Sequence, residues 1–314
     1  MLTLALSISL GVISCGGGRQ MKDTHKTPGQ SASQTSNASD SLQPQLLEIA
    51  SLAKGRVGAH AVVLETGETL ASLNSRDHFP MQSVYKLPIS MAVLKQVDEG
   101  KLKLDQKVRV TREDYVGPAA YSPIRDKNPR GTELTIDELL RYALSESDGT
   151  ASDVLMKLAG GHVPTQMYVT DLPITDLIVL NTEKELSEDK TAQYRNSASP
   201  ESAVALLRAL WERRGLSESS QALILKYMTE SKPGALRLKG LLPAGTIVAH
   251  KTGTSGTDKG TTAATNDIGV ITLPNGKHLA IAVFVSDSPA DEQTRERVIA
   301  RIAKVVYDLA VNSP

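Results

Sequence analysis

The segment Ser83-Val84-Tyr85-Lys86 places a serine and a lysine three residues apart at the start of an apolar run. If this run is helical, Ser83 and Lys86 lie on one face near the helix N-terminus, where the helix dipole favours an alkoxide. A lysine tuned by burial and by its neighbours accepts the proton of a serine hydroxyl. The pair therefore indicates a serine nucleophile. The same spacing recurs at Ser51 and Ser187, where solvated faces explain it, so the pattern alone is weak.

Two further segments supply a second hydroxyl and a second ammonium. Ser147-Asp148-Gly149 follows a helical run, and Lys251-Thr252-Gly253-Thr254 lies on a predicted strand. The hydroxyl of Ser147 is suited to relay a proton to a leaving nitrogen, and the ammonium of Lys251 to hold an anionic carboxylate. Gly253 allows a ligand to approach the strand backbone closely. Each motif is common by itself, but the three in this order indicate one catalytic site.

The elements that position these motifs follow from the hydrophobic periodicity. Helical spacing from Leu42 predicts a first helix, and residues 291–311 close the chain as an amphipathic helix. Strands at both ends with helices between them predict an α+β fold. We expect an antiparallel sheet flanked by helices from about 42–78 and 232–314, and a mostly α-helical lobe from about 79–231. The predicted strands are 57–64, 68–73, 246–252, 264–273 and 278–286, and the clearest helical periods are 87–97, 136–144, 151–158 and 203–211.

The composition excludes several classes of function. The 314 residues include 35 Lys and Arg against 35 Asp and Glu, so the formal net charge is +0 and nothing electrostatic favours nucleic acid as a partner. The single cysteine, Cys15, excludes an intramolecular disulfide and a thiolate metal cluster. No two of the six histidines have the spacing of zinc ligands, so we expect no metal.

The first 41 residues predict export and attachment. Residues 1–14 are apolar or small and too short to span a bilayer, which is typical of a signal sequence. Residues 12–16 resemble a bacterial lipobox, in which the signal is cleaved before Cys15 and its thiol is acylated; an ordinary signal peptide with an incidental cysteine is the alternative. Residues 16–41 are rich in small polar residues and predict a flexible linker. We therefore expect a periplasmic, lipid-anchored protein whose catalytic domain spans 42–314.

Over residues 42–311 the ordered motifs resemble those of the class A serine β-lactamases, and more broadly of the penicillin-binding proteins. The resemblance implies the fold described above, a small β-lactam as substrate, a monomer and no cofactor. It implies the following roles: Ser83 as the acylated nucleophile, Lys86 as its partner, Ser147 as the proton shuttle, and Lys251 with Thr252 as binders of the substrate carboxylate.

Other binding positions follow from the same resemblance. The backbone N–H groups of Ser83 and Thr254 would form an oxyanion hole. Gly253, between Thr252 and Thr254, would let the substrate approach this strand closely. Tyr121 resembles the tyrosine at the mouth of the family's cleft, although a partly buried packing aromatic explains it equally well. His250, beside Lys251, is predicted to pack or to form a hydrogen bond, because the mechanism needs no imidazole.

The segment Asn181-Thr182-Glu183-Lys184-Glu185-Leu186-Ser187 resembles the family's E-P-E-L-N loop, with Lys for Pro and Ser for Asn. The resemblance implies that Glu183 activates the water that hydrolyses the acyl-enzyme. A solvated acidic loop is the alternative, because Glu185, Glu188 and Asp189 are clustered with it. We favour Glu183 over these neighbours since it fits both the loop pattern and the spacing to the third motif.

Several positions depart from the family pattern. Gly149 replaces the Asn of S-D-N and removes a side-chain amide that contacts the substrate's acylamide group. Ser187 removes one ligand of the hydrolytic water, and Asp153 stands where many members have Asn and is expected to change how the loop is anchored. Asn181 and Asn196 replace an Arg and Asp pair at the loop neck, so we expect amide hydrogen bonds there or a different loop fold. These changes are typical of a divergent branch in which cephalosporin preference or a broadened spectrum is plausible.

The sequence thus predicts hydrolysis of β-lactams through an acyl-serine and a water activated by Glu183. One rival is a D-alanyl-D-alanine carboxypeptidase of the cell wall, which would use the same serines and lysines but release penicillin slowly. Another is a non-catalytic β-lactam sensor lipoprotein. Glu183 argues against the first, and the lack of a long apolar stretch after Cys15 argues against the second.

Overall fold

A computed structural model of the chain describes residues 36–189 and 191–312. The helices are α1 (Ser36–Ser51), α2 (Lys86–Asp98), α3 (Pro123–Lys127), α4 (Ile136–Ser145), α5 (Gly149–Leu158), α6 (His162–Asp171), α7 (Glu183–Glu188), α8 (Pro200–Trp211), α9 (Glu218–Thr229) and α10 (Glu292–Asn312). The strands are β1 (Arg56–Val63), β2 (Thr69–Leu73), β3 (Phe79–Pro80), β4 (Lys107–Val110), β5 (Thr132–Thr135), β6 (Leu177–Ile178), β7 (Ser197–Ala198), β8 (Val248–Thr254), β9 (Thr257–Asp258), β10 (Thr261–Thr272) and β11 (His278–Ser288).

The main sheet is antiparallel and has the order β2-β1-β11-β10-β8, with the short β9 paired to β10. It joins the hairpin at the start of the domain to the three strands near the end, because β1 pairs with β11 from Arg56 opposite Ser286 to Val63 opposite Leu279. Strands β10 and β11 are buried along almost their whole length, which indicates that both faces of the sheet are covered. The predicted α+β class is therefore confirmed.

Each face of the sheet packs against its own set of helices. On one face, α1 and α10 cover the strands, with Leu46 and Ile49 from α1 and a stripe from α10 that includes Ile302 and Val306. The stripe has the spacing that places side chains on one side of a helix. On the other face, α8 lies between the sheet and the helical lobe, and Leu206 and Leu207 are fully buried there.

Side-chain caps define where the helices of the lobe begin. Thr135 and Glu138 form a capping box at α4, and the side chain of Asp148 accepts from the N–H of Ala151 at the start of α5. Thr182 and Glu185 form a second capping box at α7. Asp148 and Thr182 belong to, or adjoin, the motifs that were singled out in the sequence, so the same residues that begin these helices also place Ser147 and Glu183.

The structure differs from the sequence predictions at two places. Helix α1 begins at Ser36, so the last six residues of the predicted linker at 16–41 are helical, with Pro44 inside the helix. Residues 36–41 are polar and show no hydrophobic periodicity, so the sequence did not predict that they are helical. They extend a helix whose packed face starts at Leu42. The lobe also contains the two-residue strands β3, β6 and β7 and the ribbon of β4 and β5, which no periodicity marks. Residues 1–35, with Cys15 and the predicted signal, lie outside the described residues.

No helix among residues 36–189 and 191–312 is long and apolar enough to cross a membrane.

Candidate active site

The candidate nucleophile lies at the start of α2. A single 3₁₀ turn, Gln82–Tyr85, leads directly into the helix, so Ser83 and Lys86 face the same side. The Nζ atom of Lys86 donates to Oγ of Ser83 at 2.6 Å, and Lys86 is only 1% exposed. Pro88 falls within the first turn of α2, where its missing N–H costs no helix hydrogen bond. The predicted pairing of Ser83 with Lys86 is thus present in the structure.

The second motif is held between the two lysines. Lys251 donates from Nζ to Oγ of Ser147 at 2.8 Å, while Lys86 donates to the main-chain carbonyl of Ser147 at 3.1 Å. Ser147 has φ +60°, an uncommon conformation for a residue with a side chain. It is retained because Asp148, next along the chain, is fixed by hydrogen bonds with the N–H of Ile124 and of Ala151.

Two lysines, Lys86 and Lys251, are buried at the site. Lys251 is fully buried on β8, and burial, together with the charge of Lys86, holds the pKa of Lys251 well below its usual value. Asp267 and Glu183 oppose this shift without cancelling it. The nearby negative charge is therefore too small to offset the effect of burial on the Lys251 ammonium. An anionic group that enters beside it would stabilise the ammonium.

Glu183 completes the cluster from the other side. It is the first residue of α7, and its Oε1 accepts from Nζ of Lys86 at 2.5 Å and from Oγ of Ser83 at 3.5 Å. The neighbouring acids lie elsewhere, since Glu185 caps the helix at Thr182 and Asp189 binds Thr191. Among the acids of this loop, the structure brings Glu183 to the serine.

Asp153 anchors the loop through main-chain N–H groups at the start of α7. One carboxylate oxygen accepts from the N–H of Glu183 at 2.7 Å and the other from the N–H of Lys184 at 2.9 Å, which uses both oxygens at the start of α7. Burial and the negative charge of Glu183 raise the pKa of Asp153 to about 7, against the lowering effect of the two N–H donors. The anchor is therefore a buried acid that is near half-ionised in neutral solution.

The neck of the loop is held by amide hydrogen bonds, as expected from the residues that replace the usual charged pair. Oδ1 of Asn196 accepts from the N–H groups of Leu180 and Asn181 at 2.8 and 2.9 Å, and its Nδ2 donates to the carbonyl of Asn181 at 2.8 Å. Asn196 is fully buried. The side chain of Asn196 thus holds the two ends of the loop together, while the side chain of Asn181 donates to the carboxylate of Glu185.

A cleft of about 530 Å³ is lined by Ser83, Lys86, Ser147 and Glu183. Tyr121 lies at its mouth and is 63% exposed, so the alternative of a packing aromatic is wrong. At Gly149 a Cβ atom would lie 3.2 Å from the carbonyl of Tyr121 and 3.4 Å from Cγ of Glu183, so even a small side chain would crowd this wall. Ser187 also lines the cleft, and its hydroxyl donates to the carbonyl of Lys184 at 2.7 Å.

Strand β8 forms the opposite wall. A Cβ at Gly253 would lie 2.2 Å from the carbonyl of Met81, so the strand passes against the turn that carries Ser83. Oγ1 of Thr254 accepts from Nη2 of Arg237 at 2.8 Å, and Arg237 also donates to the carbonyl of Gly253. Sequence analysis missed Arg237, because nothing in its neighbourhood distinguishes it from a surface arginine, yet it is only 3% exposed.

His250 is confirmed as a hydrogen-bonding residue. Its Nδ1 lies 2.9 Å from both carboxylate oxygens of Asp267, and both side chains are fully buried. Because side chains alternate along a strand, His250 and Lys251 point to opposite faces of β8. Within the described residues, no group of three or more His, Cys, Asp and Glu side chains is placed to hold a metal ion.

Comparisons with known proteins agree on one family. The model of the beta-lactamase enzyme family matches residues 41–310. Beta-lactamase VEB-1 of Pseudomonas aeruginosa is 41% identical over 280 residues, which cover 88% of this chain and 93% of that protein. Extended-spectrum beta-lactamase PER-1 of the same species is 42% identical over 279 residues, covering 88% and 90%. The crystal structure of a beta-lactamase from Chitinophaga pinensis has a TM-score of 0.83 at 44% identity, covering 86% of this chain and 99% of that one.

Proposed function

The chain belongs to the beta-lactamase enzyme family, and we propose that it opens the amide bond of β-lactams through an ester on Ser83, which a water activated by Glu183 then hydrolyses. The observation that carries the proposal is the Lys86 ammonium, which contacts both Ser83 and Glu183. This arrangement gives the nucleophile a route for its proton and places a base beside the ester that would form.

In the acylation step, Oγ of Ser83 attacks the lactam carbonyl carbon and its proton passes to the pair formed by Lys86 and Glu183. The carbonyl oxygen becomes an oxyanion, and the N–H groups of Ser83 and Thr254 are the donors proposed to bind it. When the carbon–nitrogen bond breaks, the leaving nitrogen takes a proton from Oγ of Ser147. Lys251 lies 2.8 Å from that hydroxyl and is the nearest donor that can replace the proton. The proton held by the Lys86 and Glu183 pair then restores the charge of Lys251, so that Glu183 is again a carboxylate before water attacks.

Recognition of the substrate carboxylate is proposed for β8. Lys251 is the buried cation whose pKa is lowered by burial, so an arriving carboxylate stabilises its charged form. Thr252 adjoins Lys251 in the strand, and Thr254, its last residue, lines the cleft. Arg237 donates to the hydroxyl of Thr254 and is itself paired with Glu296 at 3.0 Å, so its part is to orient that hydroxyl. Lys251 is therefore the cation proposed to favour an anionic substrate over a neutral one of the same shape.

In the deacylation step, Glu183 removes a proton from a water molecule as its oxygen attacks the ester carbon of acyl-Ser83. The bond to Oγ of Ser83 then breaks, and Oγ takes the proton that Glu183 removed from the water, which restores both the serine and the carboxylate. The 3.5 Å separation of Glu183 Oε1 from Ser83 Oγ supports this role, since a water beside the carboxylate would be close to the ester. The same contact favours turnover over the rival readings, a peptidase that stays acylated or a non-catalytic sensor.

The test is turnover of a chromogenic cephalosporin by the full chain, compared with Ser83→Ala and Glu183→Ala, with mass spectrometry on each. We expect many turnovers for the parent, none for Ser83→Ala, and a stable acyl adduct on Glu183→Ala. If the parent stops after one equivalent, Glu183 is not an effective base and the peptidase or sensor function replaces the hydrolase. If Ser83→Ala turns over as fast as the parent, the nucleophile is wrong.

We also propose export to the periplasm and a lipid anchor on Cys15. The support is the apolar segment that ends in the only cysteine of the chain. Metabolic labelling with a fatty acid tests the anchor, with Cys15→Ala as the control. Label on the parent and none on Cys15→Ala is the expected result, whereas label that persists in the variant would refute the anchor.

A further inference from the structure

Two buried hydroxyl groups beside the candidate site have no hydrogen-bond partner among the described residues. They are the phenol of Tyr85 and the hydroxyl of Ser152, and both residues are fully buried. Buried hydroxyl groups in folded proteins are nearly always paired, because an unpaired one has lost its water without replacement. Two such groups close together at a proposed active site therefore require an explanation.

The chain places both hydroxyls beside groups that contact Glu183. Tyr85 immediately precedes Lys86, whose ammonium binds Oε1 of Glu183 at 2.5 Å. Ser152 immediately precedes Asp153, whose carboxylate accepts the N–H of Glu183 at 2.7 Å. Ser152 and Glu183 are the hydrogen-bonding neighbours that act on the pKa of the Tyr85 phenol, and the charge of Asp153 acts on it as well, so the phenol lies among these three side chains.

The protonation of Tyr85 makes its hydroxyl a donor. Burial, with the negative charges of Glu183 and Asp153, raises the pKa of Tyr85 well above its usual value, so it stays a neutral phenol. Lys86 and Ser83 both donate to Oε1 of Glu183. Oε2 is thus available as an acceptor, and an ionised carboxylate is the strongest acceptor near the phenol.

We propose that the Ser152 hydroxyl donates to the Tyr85 hydroxyl and that Tyr85 in turn donates to the Glu183 carboxylate, which makes Tyr85 a positioning residue for the proposed base. One short chain of hydrogen bonds then satisfies both buried hydroxyls. The inference rests on the proposed function, because it assigns a task to Tyr85 only if Glu183 activates water. It gives Tyr85, which lies between Ser83 and Lys86 in the serine motif, a part in the deacylation step.

The consequence is a defined effect on pH dependence. A hydrogen bond to the charged form of an acid favours ionisation, so loss of the phenol would make the base protonate at higher pH. The charged groups that also face Glu183 are Lys86 from α2, Asp153 from α5 and Lys251 from β8. All three remain in a Tyr85→Phe variant, which removes a single oxygen and keeps the ring.

The experiment measures kcat for a chromogenic cephalosporin between pH 4 and 9 for the full-length parent, Tyr85→Phe and Ser152→Ala. We expect the midpoint of the acid limb to move upward by about 0.5 to 1 pH unit in Tyr85→Phe, and by less in Ser152→Ala. Acyl adduct should accumulate at pH 5 in Tyr85→Phe more than in the parent. The matched control is Tyr168→Phe on α6, which removes another buried hydroxyl that has no partner among the described residues and whose charged neighbour is Asp98, not Glu183 or Asp153.

The outcomes separate the two proposals. If the parent does not turn over β-lactams, the proposed function fails and the role of Tyr85 fails with it. If the parent turns over but the profile of Tyr85→Phe coincides with those of the parent and Tyr168→Phe, only the role of Tyr85 is refuted. An equal loss of kcat at every pH, with no movement of the limb, also refutes it, because that pattern reports general structural damage. A shifted limb in Tyr85→Phe alone or with Ser152→Ala supports it.

Discussion

At Gly253, strand β8 passes directly against the turn that carries the proposed nucleophile. Replacing Gly253 with alanine tests how closely the strand and the turn must approach. The added Cβ would lie 2.2 Å from the carbonyl oxygen of Met81. An ordinary carbon–oxygen contact is about 3.3 Å, so the walls must separate by roughly 1 Å. Strand β8 is at the edge of the sheet and pairs only with β10 within the main sheet, so we expect it to be the wall that moves.

The movement would displace the proposed carboxylate and oxyanion groups together. Lys251 and Thr254 lie on the same strand, and Lys251 contacts Ser147 at 2.8 Å. A misplacement of about 1 Å lowers the rate by roughly 100-fold, which corresponds to about 2.7 kcal/mol of lost transition-state stabilisation. We therefore expect Gly253→Ala to reduce kcat/KM for a chromogenic cephalosporin by about two orders of magnitude.

The assay combines steady-state kinetics with circular dichroism, so that loss of activity is separated from loss of folding. Gly256→Ala is the matched control, because a Cβ at this position meets no heavy atom within 4 Å. It should retain kcat/KM within about threefold. If folded Gly253→Ala keeps more than about one third of the parent's kcat/KM, the 1 Å displacement does not occur at the site and the reasoning is refuted.

Three further predictions address the loop and the carboxylate subsite. Burial raises the pKa of Asp153 to about 7, so the folded chain holds a proton that the unfolded chain releases near pH 4. The free energy of unfolding should therefore fall by roughly 2 to 4 kcal/mol as pH rises from 4 to 8. Urea unfolding at pH 5 and pH 8 should show a weaker pH dependence in Asp153→Asn, and an unchanged dependence would contradict the shift. Asn196→Ala removes three hydrogen bonds at the loop neck, so we expect about 2 kcal/mol lower stability and faster proteolysis of the loop, which limited trypsin digestion would show. Arg237→Ala should raise KM for anionic β-lactams about tenfold with little change in circular dichroism, whereas an unchanged KM would exclude Arg237 from orienting Thr254 for carboxylate binding.

The long elements could be predicted from the sequence because their signals are local. The stripe on α10, the hairpin of β1 and β2, and the turn before β11 depend on neighbours a few residues away. The start of α1 and the two-residue strands β3, β6 and β7 could not be predicted, since no periodicity is visible over so few residues. Pairing of such strands is decided by where the longer elements already lie.

The candidate site divides in the same way. The residue types and order of the three motifs indicated one site with Ser83, Lys86, Ser147 and Lys251, because each chemical role needs a particular functional group. Glu183 was added by the resemblance of its loop to that of the class A serine β-lactamases. The distances between them were not predictable. Glu183 and Lys86 are 97 residues apart in the chain and 2.5 Å apart in space, a contact that exists only because α5 packs against both α2 and α7.

Burial is the other property that tertiary structure alone decides. Arg237 is indistinguishable in sequence from a surface arginine, but its side chain is enclosed beside Thr254. Tyr85 and Ser152 carry ordinary hydroxyls until packing removes them from water next to two carboxylates. The sequence by itself determined which functional groups the protein has and in what order they occur. Only the folded structure decided which of them lose water and share charge, because desolvation and electrostatic coupling depend on distance in space and not along the chain.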